Sequence, residues 1–189
     1  MRILLLVEGQ SDREGLPILA RKMVSREIGF DALHVSQGNL FSAEKVNAHI
    51  GYAVKRKLDT NKAVLCVDSE GIPIEETKAR LQTVTQAVSK LRAGLPVKAV
   101  VVDHSLEGWV LWDRLAIARF LGLEESALHY RNPESEDRPA DLMSKLFRQA
   151  GRDYIKMGNL PALAARVDVG EIAKHSPTFR EFRSAIIGD

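Results

Sequence analysis

Three apolar runs in this chain each end in acid, and no other feature constrains the fold as much. Leu4-Leu5-Leu6-Val7 runs into Glu8-Gly9-Gln10-Ser11-Asp12, and Ala63-Val64-Leu65-Cys66-Val67 into Asp68-Ser69-Glu70-Gly71. Val97-Lys98-Ala99-Val100-Val101-Val102 runs into Asp103, with Glu107 shortly after. Apolar residues that continue rather than alternate mark strands buried on both faces. In an open parallel α/β sheet the carboxyl ends of the strands share one rim, and ligands bind there. Glu8, Asp68, Glu70, Asp103 and Glu107 are therefore expected to gather, although the chain separates them. Clustered carboxylates repel one another unless a cation neutralises them. The pattern points to a divalent-metal site.

Helical signals lie between these runs. Ser11-Asp12-Arg13-Glu14 matches a capping box, with Ser11 as N-cap and Glu14 at the third helical position. The helix it opens is expected to run to about residue 27 and to kink or divide at Pro17. A short strand is expected at 32–35 and a loop at Gln37-Gly38-Asn39. The next helix starts after Ser42, with Val46, Ile50, Ala53, Val54 and Leu58 as its apolar stripe. Lys55-Arg56-Lys57 reads as its solvated end, where cations suit the helix dipole; phosphate binding is the sharper alternative. Asp59-Thr60-Asn61 reads as a turn. After Pro73, the residues Ile74, Thr77, Leu81, Val84, Val88 and Leu91 recur at helical spacing, and Ala93-Gly94-Leu95-Pro96 stops that helix. A further helix is expected from Ser105, carrying Trp109, Leu111, Trp112, Leu115 and Ala118, its tryptophans serving as core.

This alternation predicts an α/β fold, a Rossmann-like, mostly parallel sheet of about four strands with helices on both faces. It occupies residues 1–123. A helical extension, 124–189, is expected to pack on it. Within that extension 131–139 reads as an exposed loop, followed by helices at 140–149 and 160–166, a short turn at 168–174 and a helix at 177–187. Phe179, Phe182 and Ile186 form a stripe that should dock the last helix.

The 189 residues carry a net charge of +2, less than a bare nucleic-acid coat would need. No apolar run approaches a membrane span, and the first is interrupted too soon for a signal peptide, so a cytoplasmic setting is expected. Cys66 is the only cysteine and lies inside an apolar run, which suits an inert thiol. The chain has no Gly-x-Ser-x-Gly elbow, no phosphate-binding Gly-x-x-x-x-Gly-Lys-[Ser/Thr] loop and no Gly-x-Gly-x-x-Gly fingerprint.

Each acid also has a plainer reading. Glu8 can be a solvated turn residue, and spacing does not separate that from a ligand. Asp68 and Glu70 can face one cation from an extended turn, or can form an acidic loop before a helix. Glu107 suits the positive end of a helix whether or not it touches a metal. One nearby histidine, His104, and no paired cysteine disfavour zinc.

Residues 5–12 followed by Cys66-Val67-Asp68-Ser69-Glu70 resemble the Toprim domain of topoisomerases, DnaG-type primases and OLD-family nucleases. That domain carries a glutamate-glycine turn after one strand and an Asp-x-Asp after a later one; here Glu70 stands where Asp is usual. His104-Ser105-Leu106-Glu107-Gly108-Trp109-Val110-Leu111-Trp112-Asp113, Tyr154-Ile155-Lys156 and Ser176-Pro177-Thr178-Phe179 are similar to segments of small stand-alone bacterial Toprim-like proteins linked to phage defence. The resemblance implies a Mg²⁺- or Mn²⁺-dependent nuclease acting on DNA or RNA, in phage defence or repair, with a protein partner such as an ATPase. Glu8, Asp68 and Glu70 would hold metal, Glu107 and Asp113 a second position, and Glu8 would serve as acid or base. Lys156 would face a developing negative charge. The rival expectations are a non-enzymatic metal-binding module of a defence or repair complex, and a receiver-like domain phosphorylated on Asp68.

Overall fold

The structure, a computed structural model, describes the chain apart from residues 26, 57–59, 70, 136–137 and 189 and the side chain of residue 135. Expectations placed on Lys57, Leu58, Asp59, Glu70, Glu136 and Asp137 lie outside the described residues.

Four strands, β1 (Arg2–Val7), β2 (Gly29–His34), β3 (Lys62–Asp68) and β4 (Val97–Val102), form one all-parallel sheet in the order β2-β1-β3-β4. Alternation across the strands explains why their sequences are apolar throughout. Ile3, Leu5, Val7, Val64, Cys66, Val100 and Val102 face one layer of helices. Leu4, Leu6, Ala63, Leu65, Val67, Val97 and Val101 face the other.

The second layer holds α2 (Gln37–Leu40), α3 (Ala43–Lys55) and α4 (Ile74–Leu91), which contribute Leu40, Val46, Ile50, Leu81, Val84 and Val88. Ser42 caps α3 by accepting the Lys45 amide at 3.4 Å. Residues 37–40 form a helical turn rather than the expected loop.

The first layer holds α1 (Gln10–Met23), α5 (Leu106–Leu111), α6 (Arg114–Leu121), α7 (Pro139–Gln149), α8 (Lys156–Ala164), α9 (Val169–His175) and α10 (Pro177–Ile187). Phe179, Phe182 and Ile186 are fully buried there, so α10 docks on the sheet. Two lysines hold C-terminal helices by their exposed carbonyls, where cations complement the dipole. Lys22 Nζ donates to Ala165 and Val167 O beyond α8, and Lys62 Nζ to Ala185 and Ile186 O on α10.

Three local expectations are corrected. Helix α1 starts at Gln10 with Gly9 as N-cap, so Ser11 is not the cap; the helix also runs unbroken through Pro17. The carbonyl that loses its donor there belongs to Arg13, an exposed residue. The helix expected from Ser105 is two helices, because the Asp113 carboxylate accepts the Ala116 amide at 3.0 Å and starts α6 afresh. The segment 131–139 is not simply an exposed loop, because Pro133 and Glu134 are buried. Glu134 Oε1 accepts Ser176 Oγ (2.5 Å) and Thr178 Oγ1 (3.1 Å), and Oε2 accepts Trp112 Nε1 (3.0 Å). Trp109 Nε1 donates to Thr178 Oγ1 at 2.8 Å, so this one carboxylate ties α5, the 130s segment and the start of α10 together.

Candidate metal centre at the carboxyl rim

Strand order reverses between β1 and β3: the chain passes from β1 outward to β2, then back across to β3. A crevice opens at such a switch point beyond the carboxyl ends of the strands. Glu8 follows β1 and Asp68 ends β3, and these strands are neighbours with Val7 opposite Cys66. Asp68 shares the face of Val64 and Cys66, so it turns toward the layer of α1. Three further groups from that layer reach the same crevice: Asp12 in the first turn of α1, Glu107 in the first turn of α5, and Lys156 at the start of α8.

Local sequence explains how Asp12 arrives. With Gly9 as N-cap, Asp12 is the third helical residue, from which a carboxylate reaches back to the cap amide. Gly9 sits at φ −103°, so positive φ is not what demands glycine here. The demand is space: a Cβ on Gly9 would lie 2.2 Å from Asp12 Oδ2 and 2.9 Å from its Cγ. Any side chain at position 9 would force the Asp12 carboxylate to shift.

Glu107 is fully buried. Its Oε1 accepts the Tyr154 hydroxyl at 3.0 Å, and its Oε2 stands 3.2 Å from Lys156 Nζ. Burial strips water from the lysine and favours its neutral form, but Glu107, Asp12 and Asp68 outweigh this and hold it above its usual value. Lys156 is thus a firm cation. A single ammonium does not balance the cluster. Burial, then Asp12, Glu8 and Glu107, push Asp68 well above the usual carboxylate range, against Lys156. Burial and Glu107 raise Asp12, opposed by Lys156, the Gly9 amide and the Ser11 hydroxyl. Cys66 lies behind Asp68 in the strand; burial, Asp12 and Asp68 raise its thiol, which keeps it inert.

The other expected residues divide. Asp103 follows β4 beside His104, whose Nε2 lies 3.9 Å from its Oδ1; burial raises Asp103 and His104 opposes the shift. His104 adopts φ +54° and donates its amide to Ser69 Oγ at 2.9 Å, which ties the β4 turn to the β3 turn. Asp113 does not join the cluster: one oxygen caps α6 and the other accepts the Asp168 amide at 2.7 Å. Glu70 is among the residues left undescribed. Local pattern pointed to neither Asp12 nor Tyr154 as members of the site.

The donor set suits a hard divalent cation, being all oxygen and in negative excess. Ser105 Oγ, at the N-cap of α5, is enclosed and has no hydrogen-bond partner among the described residues. As the side chains stand, no three or more acids, histidines or cysteines among the described residues are already close enough to grip one ion. No helix among the described residues is long and apolar enough to cross a membrane. No curated protein and no solved structure matches the chain. Residues 7–187, which carry every member of the rim cluster, match the model of a domain of unknown function, DUF4276, and the chain belongs to that family.

Proposed function

We propose that this protein is a Mg²⁺- or Mn²⁺-dependent phosphodiesterase, a nuclease whose substrate is DNA or RNA. The observation that carries the reading is the meeting of Asp12, Asp68 and Glu107 around Lys156, with Glu8 beside Asp68, at the switch point of a parallel sheet. Three acids, Asp12, Asp68 and Glu107, act on one ammonium, and Asp68, which burial and then its acidic neighbours hold above the usual range, is a group whose charged form a further cation would stabilise. A divalent ion bound there would polarise a phosphoryl group and activate water. Glu8, Asp12 and Asp68 would hold it, with Ser105 as a neutral oxygen donor; the expected part of Glu70 is retained in the proposal. Lys156 keeps its charge beside them and is suited to neutralise a phosphate oxygen as negative charge builds. Glu107 and Tyr154 orient that lysine rather than meet substrate. The nuclease assignment, the link to phage defence or repair and an ATPase partner rest on the Toprim resemblance.

A non-enzymatic metal-binding module is the second reading. It is favoured by Glu107 being already engaged by Tyr154 and Lys156.

Incubation of purified protein with single- and double-stranded DNA and RNA, with Mn²⁺ or with EDTA, separates the two. Cleavage should require the metal and be abolished by Asp68→Asn and Glu8→Gln. Full cleavage by Asp68→Asn would overturn the assignment. Metal binding without cleavage by the wild type would select the module.

A further inference from the structure

A second pocket, of about 840 Å³, lies away from the rim. Helix α8 leaves the rim at Lys156 and, after nine residues, ends where Lys22 caps it. At 1.5 Å per residue that is roughly 12 Å of travel. The pocket opens beyond that end, between α6, α9 and the segment holding Arg166. Its volume falls in the range of small-molecule sites, roughly 300–1,000 Å³.

Its charges are unequal in availability. Four carboxylates line it, Asp113, Glu125, Asp168 and Glu171, and each has a partner. Both oxygens of Asp113 accept backbone amides, and Asp168 Oδ1 accepts the Gly170 amide at 2.7 Å. Glu125 lies 3.7 Å from Arg114, and Glu171 pairs with Lys174 and His175. Among the lining arginines, Arg114 holds the carbonyls of Tyr130 and Leu128, and Arg166 holds Ala162 O and lies over Phe120. Arg119 and Arg131 line the same pocket, are exposed, and have no partner among the described residues. Beside them is an aromatic surface. Trp112, expected as core, is only half-buried and stacks on His175 at 5.0 Å and 16°. Glu134 fixes that indole through its N–H.

We propose that this pocket binds a phosphomonoester carrying a planar base, either a free nucleoside monophosphate or the phosphorylated end of a nucleic-acid strand. Arg119 and Arg131 take the phosphate, whose oxygens match guanidinium forks. The Trp112–His175 stack takes the base. The site uses none of the rim residues, so it stands whether or not the rim is catalytic.

The chain has two tryptophans, and Trp109 is sealed in the core, so Trp112 reports on the pocket. AMP, adenosine and inorganic phosphate are titrated into the full chain in EDTA, followed by fluorescence and calorimetry. AMP should quench Trp112 and bind at least about tenfold more tightly than either fragment, since it alone offers both groups. Arg119→Ala with Arg131→Ala should weaken AMP by about tenfold or more with melting unchanged, both side chains being exposed and without a partner among the described residues. Asp68→Asn should leave AMP binding intact. Competition by oligonucleotides with and without a 5′-phosphate tells the sources apart. A preference for the phosphorylated strand over AMP assigns the site to strand ends, and the reverse assigns it to free nucleotide. No binding at millimolar AMP, binding indifferent to the arginine pair, or binding lost in Asp68→Asn would overturn the proposal.

Discussion

The rim cluster and the Glu134 network flank the same short helix, α5, and treat buried carboxylate in opposite ways. Glu134, 6% exposed, receives three hydrogen bonds from Trp112, Ser176 and Thr178, with no acid among the described residues competing for those donors. At the rim, Asp12, Asp68 and Glu107 share one lysine, and burial, then Asp12, Glu8 and Glu107, push Asp68 upward. A buried carboxylate with its donors in place fixes structure; one crowded by its own kind leaves part of the free energy of folding waiting for a cation. The first arrangement is what a scaffold needs and the second is what a binding site needs. Together they hold α5 from both sides: Glu134 through Trp112 just past its end and Trp109 by way of Thr178, and the rim through Glu107.

Removing one acid from each region should therefore move stability in opposite directions. Glu134→Ala leaves the indole N–H and two hydroxyls without their acceptor and should cost about 3 kcal/mol, at roughly 1–3 kcal/mol per stranded buried donor shared over a partly relaxing site. For a chain of this size that is a fall in Tm of about 6–12 °C. Calorimetric melting checks it, and a loss within error would show that the network is not structural.

Gly9→Ala should come next. Its Cβ would fall 2.2 Å from Asp12 Oδ2 and 2.9 Å from its Cγ, so the carboxylate must move from where it stands. Overpacking of this kind costs about 1–3 kcal/mol. Titration with Mn²⁺ should also show metal affinity lowered by about tenfold or more, as when a supporting contact of a metal site is lost. Unchanged Mn²⁺ affinity would separate Asp12 from the metal reading.

Much of the fold was legible in the sequence. Residues 2–7 and 97–102 read as strands because their apolar runs are buried on both faces, at 3–7 and at 100–102, and α4 and α10 read cleanly from their stripes and from Ser176-Pro177. The convergence of Glu8 and Asp68 follows from parallel strands sharing a rim. Three features were not legible, each for a tertiary reason. Apolar spacing continues through Trp112-Asp113, so nothing local announces the break that Asp113 makes by capping α6 and holding the Asp168 amide. Glu134 sits among polar neighbours, and its partner Ser176 is 42 residues away. Asp12 and Glu14 each fit one register of a capping box; the close approach of Asp12 to Gly9 and the facing acids decide between them.

Asp68→Asn should raise stability in EDTA at neutral pH by on the order of 1 kcal/mol, since it removes a charge the fold disfavours. Asp68 holds its proton more tightly folded than unfolded. Below about pH 4 both states are protonated and the residue is neutral to stability. As pH rises, the unfolded chain ionises first, so the metal-free wild type loses stability until the pH passes the raised folded value. Melting temperatures across pH in EDTA should fall in that direction for the wild type and more shallowly for Asp68→Asn. Saturating Mn²⁺ should cancel the difference by stabilising the ionised form of the wild type. A wild type that gains stability with pH in that window would contradict the crowded-acid account.

The smallest effect is expected at Glu14, an acid on the same helix as Asp12 but exposed and outside both regions. Were Ser11 the N-cap, Glu14 would reach back to the cap amide, and Glu14→Ala would cost about 1 kcal/mol. With Gly9 as the cap, the cap amide is that of Gly9 and Asp12 meets it, so Glu14 has only solvent to lose. Glu14→Ala should then stay within about 0.5 kcal/mol of the wild type in chemical denaturation and leave Mn²⁺ affinity unchanged. Asp12→Ala, two residues earlier, should lower that affinity while relieving repulsion on Asp68. If Glu14→Ala instead loses about 1 kcal/mol and Asp12→Ala leaves metal binding untouched, α1 begins two residues later in solution, and the rim loses the acid that the Gly9 turn delivers to it.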